Sequence, residues 1–376
     1  MSISKENIQA AVKHYEELLL SQIERAEKMQ QKQGKHKSDI ITIGIIDGDG
    51  IGPVITKQAE RALEVLLKEE LMSGRIVLKR IEGLTIENRL ALGKAVPDDT
   101  LAEIKTCDVL LKGPTTTPSG GKMESANVAL RRELDLYANT RPVCVPEEGI
   151  DWMFFRENTE GEYTLGSKGI ELEDLLTMDF KVTTVEGTRR IAKAAYEYAK
   201  RNGKTRVSIV TKSNIMKKTD GMFSKIAHEV ATDYPEIETD EYYIDIMTAN
   251  LIKPNVRSSF QVFLLPNLYG DIITDEAAQI QGGVGTAGSA NIGDDYAMFE
   301  AIHGSGIRMI ETGREHFANP SSILTAAAML LGHIGYPDKE KALRTAILEA
   351  DKKAHITGDK TGATCEEFGD AVLQNL

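Results

Sequence analysis

The chain has 376 residues, of which 41% are hydrophobic and 27% charged, a composition typical of a globular protein with room for two domains. Its net charge of −12 argues against a nucleic-acid-binding protein, which normally carries a basic surface. An acidic ligand could bind only through a local cluster of cationic side chains. Three widely spaced cysteines without a CxxC pair argue against a disulfide framework or a zinc site and fit a reducing cytosol. No apolar run approaches the roughly 18 residues of a membrane span, so we expect a soluble, cytoplasmic protein.

The first 39 residues have a helical pattern of their own. Apolar residues recur at steps of three and four, which predicts one amphipathic helix over residues 1–39. We find no chemistry in this extension and expect it to pack on the body of the protein or on a partner subunit, not to reach the site. The residues of its predicted apolar face are Ile8, Val12, Tyr15, Leu19, Ile23, Ala26 and Met29.

From residue 40 onward, strands and helices alternate. The unbroken apolar run Ile40–Ile46 predicts a buried strand of the parallel-sheet kind, and a helical pattern follows from Val54 to Leu71. The glycines between them run GxGxG and not GxGxxG, so the Rossmann fingerprint is not met. Further strands at Ile76–Ile81 and Asp108–Leu111 favour an α/β fold with a mainly parallel sheet, whose ligands lie at the carboxyl ends of its strands.

Two aspartates begin a predicted helix after the apolar run Phe260–Leu265. Asp271 and Asp275 are four residues apart and share one helix face, with no Lys or Arg beside them in sequence. An all-oxygen pair of this kind favours Mg²⁺ or Mn²⁺, although acids at a helix start also suit the helix dipole. A further acid, Asp245, stands in an apolar stretch and is expected to need a cation.

Cationic residues stand close to predicted apolar strands. Arg131, Arg141 and Arg156 would be costly to bury there without an anionic partner, and guanidinium forks suit carboxylates. Structural ion pairs with the many glutamates are an equally good explanation for any one of them. Lys212 directly follows the predicted strand Arg206–Val210.

These residues fall in motifs that resemble the isocitrate/isopropylmalate dehydrogenase family, the metal-dependent β-decarboxylating dehydrogenases. The resemblance runs in order from about Ile40 to the C-terminus, and eight motifs in sequence make it specific. They are GDGIGP at Gly48–Pro53, KGP at Lys112 with Thr117-Pro118, Ser125-x-Asn127-x₃-Arg131, Arg141-Pro142, RENxExxY at Arg156–Tyr163, KxNIM at Lys212, NLxGDxxxD at Asn267–Asp275, and EAxHG at Glu300–Gly304 with Asn319-Pro320.

The resemblance implies a large doubly wound α/β domain interrupted by a smaller inserted α/β domain. The large, nucleotide-binding domain would comprise residues 40–137 and 286–376, and the small domain, for dimerisation and metal binding, residues 138–285. It also implies a homodimer in which each active site is completed by the partner subunit.

Site residues follow from the resemblance position by position. The substrate would be held by Ser125, Asn127, Arg131, Arg141 and Arg156, and Tyr163 and the partner's Lys212 would handle protons. Mg²⁺ or Mn²⁺ would be held by Asp271 and Asp275 with Asp245 from the partner. The NAD or NADP site would be lined by Lys112, Thr117, Asn214, Glu300, His303, Gly304, Ser305, Gly306, Arg308, Asn319 and Asp359.

The substrate expectation depends on Ser125 and Asn127. A third substrate carboxylate needs donors, whereas isopropylmalate enzymes typically place Leu at the position of Asn127, facing an alkyl group. A buried amide left unpaired there would cost roughly 1–3 kcal/mol, so the resemblance favours isocitrate and a role in the tricarboxylic acid cycle. Glu124 points the other way because isopropylmalate enzymes carry Glu there, so isopropylmalate, homoisocitrate and tartrate-type substrates stay open.

The nucleotide is left open by the residues near Arg308. NAD-using members usually carry Asp at this position, and NADP-using members carry a cation with a Tyr beside it. This chain has Arg308 with Met309, and Gly358 and Gly362 where an NADP enzyme can place Tyr and Arg. An alternative of a different class, a non-catalytic regulatory subunit, usually loses the Lys, Tyr or metal acids, which are all present here.

Overall fold

The computed structural model describes residues 4–30, 39–118, 123–166, 168–173, 175–283 and 285–376. It divides into two compact units. The small unit is Met1–Lys35 with Phe154–Ile273, and the large unit is His36–Met153 with Thr274–Leu376. These boundaries differ from the expected 138 and 285, in part because strand Ala138–Val145 pairs with Gly288–Ile292 inside the large unit.

The strands and helices are numbered in chain order. The strands are β1 Ile41–Ile46, β2 Ile76–Arg80, β3 Val109–Lys112, β4 Ala138–Val145, β5 Ile150–Glu157, β6 Ile170–Leu172, β7 Leu176–Met178, β8 Arg206–Thr211, β9 Glu238–Tyr243, β10 Val262–Leu265, β11 Gly288–Ile292 and β12 Ala297–Ala301. The helices are α1 Lys5–Gln30, α2 Gly52–Leu66, α3 Lys68–Met72, α4 Ile86–Leu92, α5 Asp98–Ile104, α6 Ala126–Glu133, α7 Val185–Arg201, α8 Thr219–Ala231, α9 Ile244–Leu251, α10 Pro254–Arg257, α11 Asn267–Gln281, α12 Ile307–Glu311, α13 Ser321–His333, α14 Pro337–Lys353 and α15 Cys365–Leu373.

The large unit contains a mainly parallel sheet in the strand order β2-β1-β3-β12-β11-β4. β1 pairs in parallel with β2 and β3, and β3 with β12, whereas β11 runs antiparallel to both of its neighbours. Val109 and Leu111 point into one apolar core with Leu63 of α2 and Leu330 of α13, while Leu110 points into a second core. Both faces of the sheet are therefore covered, as expected for strands that read as continuous apolar runs.

The small unit contains a second set of parallel strands, with β8 between β9 and β10. Helices α7 and α8 pack against these strands, and Phe154 stacks on Phe263 with ring centroids 4.3 Å apart. β10 is followed after one residue by α11, so the acidic helix starts at the carboxyl end of a buried strand. In the described part of the chain, no helix has the length and hydropathy needed to cross a membrane.

Most of the predicted apolar face of the N-terminal helix is exposed in the single chain. Ile8, Val12, Tyr15, Leu19 and Ile23 of the predicted apolar face are between 46% and 62% exposed. Leu18 is buried, and His14 Nε2 donates a hydrogen bond to the Lys168 carbonyl at 3.0 Å. The exposed apolar residues are consistent with packing on a partner subunit, the second alternative of the prediction, which stays a prediction. The helix ends at Gln30, and residues 1–3 and 31–38 of the predicted helix lie outside the described residues.

Candidate active site

Helix α11 carries both predicted metal acids. Asp271 and Asp275 stand four residues apart on it and so face the same side. No cation neighbours them in sequence, but the fold supplies one to each: Arg156 binds Asp271 in the small unit, and Arg141 binds Asp275 in the large unit. Two of the three predicted substrate arginines therefore meet the predicted metal acids.

Arg156 is held in a fixed position by the start of α11. It is 1% exposed, and its Nε and Nη2 donate to Asn267 Oδ1 at 2.9 and 2.7 Å, which leaves Nη1 for Asp271. Gly270 allows this approach, because a Cβ there would lie 2.6 Å from Cγ of Arg156. Tyr163 completes the group by donating its hydroxyl to Asp271 Oδ2 at 2.8 Å.

Arg141 is the corresponding group of the large unit. It is 7% exposed, and its Nη1 donates to Thr274 Oγ1 at 2.6 Å and to Asp275 Oδ1 at 2.9 Å. The Asp275 side chain is 61% exposed, so one partner of this pair is buried and the other reaches solvent. The arginine is therefore preorganised for a carboxylate at the surface of the large unit.

A buried cluster of three charges stands at the ends of β3 and β12. Glu300 accepts from Lys112 and from Arg131, each at 3.1 Å, and from Asn291 at 2.8 Å. Burial by itself would raise the pKa of Glu300, but the charges of Lys112 and Arg131 outweigh it and hold the pKa at about 2. Burial lowers the pKa of Lys112, and the charge of Glu300 opposes that shift, so the charges of the cluster depend on one another.

The glycine-rich turn of the large unit is organised by Asp49, which the sequence analysis did not single out. Its carboxylate accepts from the backbone N–H of Ile86 at 2.6 Å and of Thr116 at 2.7 Å, and from Arg89 at 3.0 Å. An acid inside the DGDG turn was a usable signal for Asp49. The fully buried Arg89 gave none, since it lies in an ordinary amphipathic stretch.

The same turn contacts the predicted cofactor loop. The backbone N–H of Ile51 donates to the Ser305 carbonyl at 2.9 Å, and a Cβ on Gly50 would lie 2.0 Å from that oxygen. Ser305 Oγ is 2.7 Å from Thr116 Oγ1. Two segments far apart in sequence therefore form one polar surface of backbone and hydroxyl groups in the large unit.

The predicted specificity residues flank the start of α6. Asn127 Oδ1 accepts from Thr115 at 2.9 Å, while Ser125 occupies the N-cap position without a side-chain capping bond. Glu124 forms two hydrogen bonds with Arg132, at 2.6 and 3.0 Å. The negative charge of Glu124 is therefore already balanced by a neighbour.

Lys212 and Asp245 lie together in the small unit, 2.7 Å apart. This hydrogen bond from Lys212 lowers the pKa of Asp245. The prediction that Asp245 lies in an apolar environment is wrong, because its side chain is 60% exposed at the start of α9. Of its apolar neighbours Ile244, Ile246 and Met247, Met247 is buried and the other two are not. Behind the pair, buried Asp220 accepts from the Lys212 backbone N–H at 2.8 Å.

The remaining predicted residues make local contacts in their own loops. Burial lowers the pKa of His303, and its Nδ1 donates to the Gly304 carbonyl at 2.9 Å. Asn319 caps the start of α13 through Ser321, and Asp359 accepts from Thr361 in an exposed turn. The others are exposed or partly exposed: Thr117, Asn214, Gly304, Gly306 and Arg308.

The carboxylates of α11 suit a divalent cation in chemistry and access. Within the described ranges, no group of three or more His, Cys, Asp or Glu side chains is arranged to hold a metal ion. Asp271 and Asp275 supply hard oxygen donors from one helix face, the ligand type that Mg²⁺ and Mn²⁺ prefer, and are 40% and 61% exposed. They fit such a cation if further oxygens come from a substrate or another chain.

Comparison with known proteins identifies the family. A family profile described as isocitrate/isopropylmalate dehydrogenase matches residues 42–372. The chain belongs to this family. The predicted resemblance, the α/β fold and the assignment to an enzyme family are confirmed.

Relatives in this dehydrogenase family include both nucleotide classes. The isocitrate dehydrogenase [NADP] of Rickettsia bellii is 40% identical, over 90% of this chain and 70% of its own length. The probable isocitrate dehydrogenase [NAD] subunit alpha, mitochondrial, of Drosophila melanogaster is 35% identical, over 89% of this chain and 87% of its own. The crystal structure of isocitrate dehydrogenase from Methylococcus capsulatus matches with a TM-score of 0.79 at 32% identity, covering 89% of this chain and 99% of that one.

Proposed function

We propose that this chain is an isocitrate dehydrogenase, which converts isocitrate to 2-oxoglutarate and CO₂ while NAD⁺ or NADP⁺ is reduced. The names of its relatives support this function. The observation that carries it is the pairing of each α11 carboxylate with a buried arginine, Asp271 with Arg156 and Asp275 with Arg141. A metal-bound hydroxyacid with several carboxylates offers new partners to both the acids and the arginines.

The arginines select the substrate by charge. Arg141 and Arg156 are already desolvated and oriented, so exchanging an aspartate oxygen for a substrate carboxylate costs little further ordering. Arg131 adds a third guanidinium whose side chain is 11% exposed. Three guanidinium groups match the three carboxylates of isocitrate.

The aspartates released from the arginines would hold Mg²⁺ or Mn²⁺ together with Asp245 of a second chain. When bound, the divalent ion supplies Lewis-acid chemistry, lowering the pKa of the substrate hydroxyl and stabilising the negative charge of decarboxylation. The partner's Lys212 would take the proton of the substrate hydroxyl during its oxidation, and Tyr163 would donate a proton to the carbon that loses CO₂. The Tyr163 hydroxyl is already oriented by Asp271 at 2.8 Å.

The pairing of Lys212 with Asp245 supports a homodimer with shared sites. Both residues are expected to serve the partner's site, and they lie 2.7 Å apart in the same unit of one chain. A single exposed segment can therefore deliver the base and the third carboxylate together. The dinucleotide would lie against the surface of the large unit formed by the glycine-rich turn and the Ser305 loop, lined by Lys112, Thr117, Glu300, His303, Gly304, Ser305, Gly306, Arg308, Asn319 and Asp359. Asn214, in the small unit, stays a predicted member of the cofactor site.

The α6 region favours isocitrate over isopropylmalate. The side-chain oxygen of Asn127 accepts a hydrogen bond from Thr115. Its side-chain N–H groups could therefore donate to a substrate carboxylate. Beside an alkyl group they would cost roughly 1–3 kcal/mol. The repulsion between Glu124 and an anionic substrate is also weakened, because Arg132 forms a bidentate pair with the Glu124 carboxylate.

A steady-state screen of the pure chain tests the proposal. Isocitrate, homoisocitrate, isopropylmalate and tartrate are each assayed with NAD⁺ and with NADP⁺ in the presence of Mg²⁺. We expect the highest kcat/KM with isocitrate, and the same screen assigns the nucleotide. Turnover of isopropylmalate with none of isocitrate would reverse the substrate assignment, and no turnover of any substrate would favour the regulatory-subunit alternative.

A further inference from the structure

The N-terminal helix contacts the segment that carries two proposed active-site residues. The family profile starts at residue 42, so α1 precedes the matched region. Arg25 of this helix nevertheless donates through Nη2 to Glu160 Oε1 at 3.0 Å. Glu160 belongs to the RENxExxY segment, between Arg156 and Tyr163. The expectation that the extension does not reach the site stays a prediction, because Glu160 is not itself one of the predicted site residues.

The Glu160 side chain is enclosed and only 3% exposed. Its carboxylate also accepts from Thr184, from the backbone N–H at 2.8 Å and from the hydroxyl at 2.6 Å. A Cβ on Gly187 would lie 2.5 Å from the carboxylate, which shows how closely α7 approaches it. Arg25 supplies a cationic partner for this buried charge, and it does so from outside the core of the small unit.

Glu160 is connected to the substrate-binding arginine through its own backbone. Its carbonyl accepts from Asn267 Nδ2 at 2.9 Å, and Asn267 Oδ1 accepts both Nε and Nη2 of Arg156. Because the amide of Asn267 is fixed at both ends, the orientation of Arg156 depends on where the Glu160 backbone lies. The described contacts thus form one series from Arg25 through Glu160 and Asn267 to Arg156.

We propose that Arg25 is a positioning residue for substrate binding: it fixes Glu160, and Glu160 through Asn267 holds Arg156 in the orientation that receives a substrate carboxylate. The kinetic form of this inference rests on the proposed isocitrate dehydrogenase function. Arg25 touches neither the proposed substrate nor the cofactor, so its loss should affect substrate binding more than the chemical step.

Substitution of Arg25 in the full-length chain tests the inference. Arg25→Gln should raise KM for isocitrate about tenfold and change kcat less than about twofold, because Arg156 then samples other orientations. Arg25→Lys keeps the charge and should keep KM within about threefold of the wild type. If Arg25→Gln does not fold, Arg25→Met, which keeps an unbranched side chain without the charge, takes its place with the same expected rise in KM.

Lys28→Gln is the matched control. Lys28 lies on the same helix, but its ion pair with Glu24 is 73% and 66% exposed and makes no contact with Glu160. Its KM should be unchanged. The double variant Arg25→Gln/Glu160→Gln should have the KM of Glu160→Gln alone, since the two residues act through one contact. Unchanged KM in Arg25→Gln, or an equal rise in Lys28→Gln, would overturn the inference. Absence of isocitrate turnover in the wild type would instead contradict the proposed function.

Discussion

Gly270 gives a direct structural test of how Arg156 is seated. A Cβ at this position would lie 2.6 Å from Cγ and 2.7 Å from Cβ of Arg156, and neither atom is at the flexible end of the side chain. Because Arg156 is 1% exposed and bonded to Asn267, Gly270→Ala must displace the arginine or α11. Overpacking of this kind costs about 1–3 kcal/mol, against a helix-propensity gain of up to about 1 kcal/mol.

We therefore expect Gly270→Ala to lower the free energy of unfolding by up to about 2 kcal/mol. KM for isocitrate should rise about tenfold, since roughly 1.4 kcal/mol of binding is lost when the arginine moves. Urea unfolding and steady-state kinetics measure the two effects. The control is Gly221→Ala in the first turn of α8, where an added Cβ meets no atom within 4 Å. It should be neutral or slightly stabilising and leave KM unchanged. If Gly270→Ala behaved like this control, the seating of Arg156 on α11 would be wrong.

The remaining predictions concern buried charge and substrate choice. Glu300→Gln leaves Lys112 and Arg131 buried without their anion and should destabilise the protein by about 3–5 kcal/mol in urea unfolding; a loss under about 1 kcal/mol would contradict the cluster. Burial, with the charge of Glu160, raises the pKa of Glu157 from 4.5 to about 7. The contribution of Glu157 to the free energy of unfolding is therefore complete below pH 4.5 and is lost as the pH rises through about 7. Between these pH values the wild type should lose about 3 kcal/mol more stability than Glu157→Gln, and parallel curves of stability against pH for the two proteins would refute this. Asn127→Leu should lower kcat/KM for isocitrate at least tenfold and favour isopropylmalate by comparison, which competition assays with both substrates measure; an unchanged ratio would remove Asn127 from substrate selection.

Several elements could be predicted from sequence because their patterns are local. β1 was expected at Ile40–Ile46 and lies at Ile41–Ile46, since a mostly β-branched run is typical of a strand buried on both faces of a parallel sheet. β11 was missed because Gly288–Ile292 has little strand character by itself, and its place between two partners fixes it.

The sequence indicated which residues belong to the candidate site, but not which of them pair with one another. The spacing of Asp271 and Asp275 indicates a shared helix face, yet no local pattern shows that Arg156 and Arg141 pair with them across more than a hundred residues of chain. The polar contact of α1 was missed for a similar reason. Apolar periodicity located its hydrophobic stripe, but the contact of Arg25 with Glu160 is decided by tertiary structure.

The central claim is that the α11 carboxylates and their arginines form the isocitrate site. Its most direct test is the initial rate of nicotinamide reduction by the pure chain with isocitrate and Mg²⁺, compared between the wild type, Asp271→Asn and Asp338→Asn, an exposed acid of α14. We predict metal-dependent turnover that Asp271→Asn abolishes and Asp338→Asn preserves. Undiminished turnover in Asp271→Asn would contradict the claim.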